Sequence, residues 1–189
     1  MHESRQKFET LLDELERWNR KFNLTAVRDR QQMVVLHIED SLAAQPLLQG
    51  KRILDVGTGA GFPGLPLAIA EPGREFHLVD SNNKKIQFVQ HVAALLGLDN
   101  VTAVKARGED YAPGHRFDTV IARALASLPK LLEIAGHHVG EDGVFIALKG
   151  RYPEEELKEL PDMWRSNVRE LKVPGLEEGS RHAVLLERV

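Results

Sequence analysis

Leu54-Asp55-Val56-Gly57-Thr58-Gly59-Ala60-Gly61-Phe62-Pro63-Gly64 is the run on which the fold turns. Its first half, with Arg52 and Ile53 before it, is a short apolar segment of the kind buried on both faces of a parallel sheet. Its second half places glycine at alternate positions. Such a chain can turn tightly and approach a ligand without Cβ clashes. Pro63 and Pro66 then open a helix, where a missing N–H costs little. The free N–H groups of that helix start favour a negatively charged group.

Outward from this loop the apolar pattern alternates. Strands are predicted at Glu75 to Asp80, Val101 to Lys105, Phe117 to Ile121 and Val144 to Leu148. Helices are predicted from Asn82 to Leu96, ended by Gly97, and from about Leu128 to Val139. Strands alternating with helices imply βαβ units and a parallel sheet. Asp142-Gly143 is predicted as the turn before the fifth strand. Beyond it lie a helix over 154–163 and two weaker strands near Val168–Val173 and His182–Glu187. The short link between those strands favours an antiparallel hairpin. The expected fold is therefore α/β: a Rossmann-like, seven-stranded, mostly parallel sheet of the methyltransferase type, with helices on both faces.

Before the core, residues 1–48 carry apolar side chains at helical spacing. Phe8, Leu11, Leu12, Leu15, Trp18 and Phe22 form one stripe, followed by a second helical segment from about Asp29 to Leu48. The expectation is one domain over 1–189, with this helical segment preceding a Rossmann-like core at 51–189. The composition is that of an ordinary globular chain: 189 residues, 42% hydrophobic, no cysteine. Without cysteine, disulfides, thiolate zinc sites and cysteine nucleophiles are excluded. No apolar run approaches the ~20 residues needed to span a bilayer, so no membrane association is expected. The polar N-terminus lacks a secretory signal, and the expected location is the cytoplasm. A net charge of −3 means that any nucleic-acid contact must come from a local basic patch.

Two cofactors compete for the glycine loop. Gly59 to Gly64 also fits the GxGxxG fingerprint of dinucleotide-binding proteins. That match begins two residues too late, since the strand ends at Val56 and Gly57 follows it. Read from Gly57, the pattern is an acidic residue, one spacer, then three alternating glycines, which is typical of S-adenosylmethionine sites. Asp55 is a candidate to hold the ammonium of the methionine moiety, directly or through water. Gly57, Gly59 and Gly61 form the turn. Asp80, at the tip of the next strand, is a candidate to accept both ribose hydroxyls. Three other readings stay open: a methyltransferase acting on a small molecule or protein, a nicotinamide-dependent oxidoreductase, and a non-catalytic RNA-binding module.

Further segments carry a resemblance. Trp18-Asn19-Arg20-Lys21-Phe22-Asn23-Leu24-Thr25, His37-Ile38-Glu39-Asp40-Ser41, the extension Phe62-Pro63-Gly64-Leu65-Pro66, Asp80-Ser81, Ala122-Arg123-Ala124, Ala147-Leu148-Lys149-Gly150 and Arg181-His182 form one combination. With it the chain resembles the bacterial guanine-N7 methyltransferases of small-subunit ribosomal RNA. The resemblance implies S-adenosylmethionine as cofactor, with contacts at Gly57, Phe62, Gly108, Glu109 and Arg123. It also implies small-subunit (16S) ribosomal RNA as partner, within a ribosomal particle; no obligate protein partner is inferred from the sequence. Arg123 and Lys149 are the candidate catalytic residues, each following a core strand. Arg123 would pair with guanine O6 or a phosphate, or else with a carboxylate such as Glu109. Arg28, Arg30, Arg107, Arg151 and Arg181 are candidate phosphate contacts. His37 is expected to be a hydrogen-bonded structural residue, and Trp18 and Phe22 to be core. His137 and His138 are expected on different helix faces, and no metal is expected.

Overall fold

The computed structural model describes residues 2–189. Helix α1 (His2–Phe22) leads to α2 (Arg30–Met33). A π-helical stretch (Val34–Glu39) continues into α3 (Asp40–Leu42). The core follows as β1 (Arg52–Val56), α4 (Gly64–Ala70), β2 (Glu75–Asp80), α5 (Asn83–Leu95), β3 (Val101–Lys105), β4 (Phe117–Arg123), α6 (Leu128–Ala135) and β5 (Val139–Lys149). It closes with α7 (Glu154–Lys158), β6 (Trp164–Glu170) and β7 (His182–Arg188).

The seven strands form one sheet in the order β3-β2-β1-β4-β5-β7-β6. β1 pairs in parallel with both β2 and β4. β7 runs antiparallel to both β5 and β6. The expected Rossmann-like methyltransferase sheet is therefore present, with its closing hairpin. The chain winds outward in both directions from β1, so a crevice opens at the C-terminal ends of β1 and β4.

Alternation along the strands explains how the sheet is buried on both faces. Ile53, Ile121, Ile146 and Leu148 join one hydrophobic cluster, where α1, α4 and α5 contribute Leu11, Leu15, Leu67 and Phe88. Leu54, Val56, Val120, Ala122, Phe145 and Ala147 face the other cluster, packed against Leu128 and Leu131 of α6. The N-terminal helix thus shares a core with the sheet. Trp18 packs against that core, with its ring 5.6 Å from Phe88, whereas Phe22 is partly exposed beneath the Lys84 ammonium.

Some boundaries differ from the sequence reading, each for a local reason. The helix at 154 ends at Lys158 because Pro161 disfavours helical backbone at the residue before it. That early stop frees Trp164 to begin β6. β5 begins at Val139, so Asp142 and Gly143 lie within the strand, where its register against β4 shifts. Gly143 is needed there, because a Cβ would come within 3.0 Å of the Phe117 and Asp118 carbonyls. The helix at 128 ends at Ala135, and 136–138 tighten into a 3-10 turn. That turn brings the His137 and His138 rings to 3.9 Å rather than onto separate faces. Among the described residues, no helix is long and apolar enough to cross a membrane.

Candidate active site

The glycine loop is built from its backbone outward. Gly57, Gly59 and Gly61 have φ of +68°, +60° and +93°, in the left-handed region where a side chain is strained. Gly57 and Thr58 N–H donate to the Val79 carbonyl at 2.8 and 3.0 Å, tying the loop to β2. The Asp55 carboxylate organises the turn from inside. Its Oδ2 accepts from Thr58 Oγ1 at 2.6 Å and from Gly64 N–H at 2.8 Å. Asp55 is fully buried, which pushes its carboxyl up to about 6. Its Oδ1 has no partner. Asp55 therefore does not form a wall of the crevice: the glycine turn encloses it, and any effect on a ligand must pass through that turn.

Asp80 stands at the tip of β2. Its Oδ2 accepts from Gly59 N–H at 2.9 Å and its Oδ1 from Asn82 N–H at 2.8 Å. Each oxygen keeps a lone pair for a further donor. Asp80 lines a cavity of about 330 Å³ with Gly57, Arg107, Gly108, Glu109 and Leu125. The Gly108 carbonyl accepts from His138 Nε2 at 2.8 Å. A Cβ on Gly108 would lie 2.6 Å from Ile134 Cγ2, so the close packing there suits glycine.

A second cavity, of about 420 Å³, is lined by Leu36, Asp40, Arg123, Lys149, Arg181 and His182 among others. The peptide linking Ala124 to Leu125 divides the two, since Ala124 lines one cavity and Leu125 the other. Ala124 has φ +50°, and its loop is held by neighbours on both sides. Lys149 Nζ donates to the Ala126 carbonyl at 2.8 Å and to Glu156 at 2.8 Å.

Asp40, which the sequence reading left without a role, organises this second cavity. It is 6% exposed. Its Oδ2 accepts from Arg123 Nη1 at 3.1 Å and its Oδ1 from Arg181 Nε at 2.7 Å. The partner of Arg123 is thus Asp40 rather than Glu109. Arg123 also donates to the Leu36 carbonyl at 2.8 Å, and its guanidinium lies 5.9 Å from the centre of the Phe62 ring. Phe62 is itself buried and stacks on His37 at 4.6 Å. Its ring therefore supports Arg123, and it is absent from the walls of both cavities. His37 makes the expected hydrogen bond, Nε2 to Thr25 Oγ1 at 3.0 Å. Burial first and the nearby Arg123 second push its imidazole down to about 4, leaving it neutral.

The remaining arginines divide. Arg181 lies in the second cavity, Arg107 at the rim of the first, and Arg151 is exposed just after Gly150. Arg28 is held by Asn19 and Asn23. Arg30 faces the carboxylates of Glu9, Asp13 and Glu16 on α1. Neither lines either cavity, and the acidic face of α1 already occupies the charge of Arg30. A buried carboxylate demands cationic partners, so a helical Asp beside His37 was the one signal for Asp40. Which arginines would answer it is not readable from one sequence.

Comparison with known proteins bears on what this geometry serves. The family model described as rRNA small subunit methyltransferase G matches residues 4–184. A ribosomal RNA small subunit methyltransferase G of Idiomarina loihiensis is 49% identical over 175 residues, covering 92% of this chain and 84% of that protein. The chain belongs to the rRNA small subunit methyltransferase G family. A second member, from Aeromonas salmonicida, is 49% identical over 184 residues, covering 95% of this chain and 86% of its own length. Among solved structures, a SAM-dependent methyltransferase from Aquifex aeolicus superposes with a TM-score of 0.61 at 21% identity. That superposition covers 85% of this chain and 94% of the other, and it shows the shared fold. The two cavities of this family member bring acceptors and a cation close together. Asp80 offers paired acceptors, Gly57 lines the crevice with the Leu125 side chain packed against it, and Arg123 is a cation beyond the dividing peptide.

Proposed function

We propose that the chain transfers a methyl group from S-adenosylmethionine to N7 of a guanine in small-subunit ribosomal RNA, presented within a ribosomal particle in the cytoplasm. The observation that carries this reading is the adjacency of the two cavities. One has the acceptors for an adenosine, the other is basic, and they meet at the Ala124–Leu125 peptide in a chain of this family.

When bound, S-adenosylmethionine supplies a methyl carbon activated by its sulfonium. Asp80 would accept the ribose hydroxyls, Gly108 and Glu109 would border the adenine, and Gly57 to Gly61 would pass under the amino-acid end. Asp55 would act by shaping that turn. Arg123, held by Asp40 and Leu36, would face the donor's carboxylate or guanine O6. Arg181 and the exposed Arg107 and Arg151 would meet phosphates. Lys149 would act by holding the dividing loop rather than by touching the reacting atoms.

Guanine N7 bears a lone pair and no proton, so the site needs no general base. The charge inventory of the second cavity supports that chemistry. Among the described residues the one carboxylate on its walls, Asp40, already accepts from two arginines, Lys149 is paired with Glu156, and His37 is bonded to Thr25, which leaves His182 as the remaining titratable group there. For an in-line displacement the chain's task is orientation, which can remove roughly 7–11 kcal/mol of barrier in favourable cases. The test is to supply labelled donor and small-subunit RNA lacking the modification, then map the product. Label recovered as N7-methylguanosine supports the proposal; label elsewhere, or none in RNA, contradicts it.

A further inference from the structure

We infer that Tyr152 is a stacking platform for an unpaired RNA base flanking the one that enters the second cavity; the inference rests on the RNA reading above. Tyr152 is 55% exposed, which leaves much of its ring open to solvent. It is nevertheless fixed in place. Its ring stands perpendicular to that of His182, at 86° and 5.7 Å between centres. His182 itself lines the second cavity. The backbone leading to Tyr152 is pinned as well, because Ser180 Oγ donates to the Gly150 carbonyl at 2.9 Å. Pro153 follows with a buried side chain and restricts the other end. An exposed ring packed edge-on against His182, on a backbone fixed on both sides, has less rotamer freedom to lose when a base settles on it.

The surroundings point to nucleic acid rather than to an apolar partner. Arg151, the residue before Tyr152, is exposed, and Arg181 lines the cavity that His182 also lines. The glutamates that follow are turned elsewhere: Glu154 and Glu155 to Lys158, and Glu156 to Lys149. A flat ring that touches His182 at the edge of the basic cavity, and itself lines a neighbouring cavity with Arg165 and Arg169, suits a splayed, single-stranded nucleotide. A base drawn out of a stack leaves its neighbour without a partner on one side, and Tyr152 would replace that partner.

The experiment measures binding of an unmodified small-subunit ribosomal RNA transcript to the full chain, with donor affinity followed in parallel by calorimetry. Tyr152→Phe keeps the ring and should bind RNA within about twofold of the parent. Tyr152→Leu and Tyr152→Ala should each weaken RNA binding about tenfold, with donor affinity unchanged. RNA affinity that is unaltered in the Ala variant, or fully restored by Leu, overturns the platform. RNA binding that obeys this order without methyl transfer overturns the proposed activity and leaves the platform standing. Absence of RNA binding by the parent chain overturns both.

Discussion

Asp55 and Asp80 sit at the tips of adjacent strands and carry the same side chain, yet the structure gives them different tasks. Asp55 is sealed beneath the glycine turn, and burial raises its carboxyl from 3.8 to about 6. A raised carboxyl in the folded state means that the unfolded chain releases its proton first. The stability associated with protonated Asp55 is therefore complete at low pH and lost as pH rises through about 6. Asp55→Asn keeps an acceptor for Thr58 and Gly64 without the charge. Its melting temperature relative to the parent should climb between pH 4 and 6 and level off above; an advantage that does not change with pH would contradict the burial argument. Asp80, by contrast, keeps capacity for a ligand. Asp80→Asn replaces one charged acceptor with a donor and should weaken donor affinity by roughly 10- to 100-fold in calorimetry. An unchanged affinity would remove Asp80 from the ribose site. Both residues were legible in the sequence, Asp55 two places before the first glycine of the loop and Asp80 at the end of the next strand, but only the structure separates the brace from the wall.

The π-helical turn and the loop after β4 meet at the second cavity. The wide turn over Val34–Glu39 ends with Asp40 N–H donating to the Val35 carbonyl. Leu36 and Asp40 thereby share one side, which faces Arg123. Such insertions recur at functional sites, but one sequence gives no sign of them, since their hydrophobic spacing resembles an ordinary helix. The loop after β4 depends on Lys149, whose ammonium satisfies the Ala126 carbonyl and Glu156. Its side chain is only 15% exposed. Lys149→Met should lower stability by about 1–3 kcal/mol in denaturant unfolding, with a loss of turnover that follows the loosened loop. A loss of turnover beyond a thousandfold with unaltered stability would instead return Lys149 to the reacting atoms. The alternating burial of β1, β4 and β5 was the readable part of these elements. The end of α7 and the start of β6 were not, because a proline three residues past the helix outweighed its periodicity.

At the scale of the molecule, the reversal of strand order at β1 sets the position of the site, and contacts far apart in sequence set its charge. Arg181 and Asp40 lie 141 residues apart, a pairing that no local pattern predicts. The glycine loop, its following acidic strand tip and the parallel sheet were readable because they are local. The selection among arginines was not: Arg30 pairs with Glu9 on α1 and Arg181 with Asp40, carboxylates that only the folded chain brings within reach. A site that needs no base makes a global prediction. The single-turnover rate of methyl transfer should vary little between about pH 6.5 and 8.5. A tenfold fall per pH unit below some midpoint would reveal an essential base, with His182 the first residue to replace.

The central claim is that the crevice at the β1–β4 divide holds the methyl donor. A crystal structure determined with S-adenosylhomocysteine would test it most directly. The account predicts ribose hydroxyls on Asp80, adenine beside Gly108 and Glu109, and the amino-acid end over the glycine turn toward Arg123. A well-ordered ligand elsewhere on the chain, or none in the crevice at saturating concentration, would contradict it.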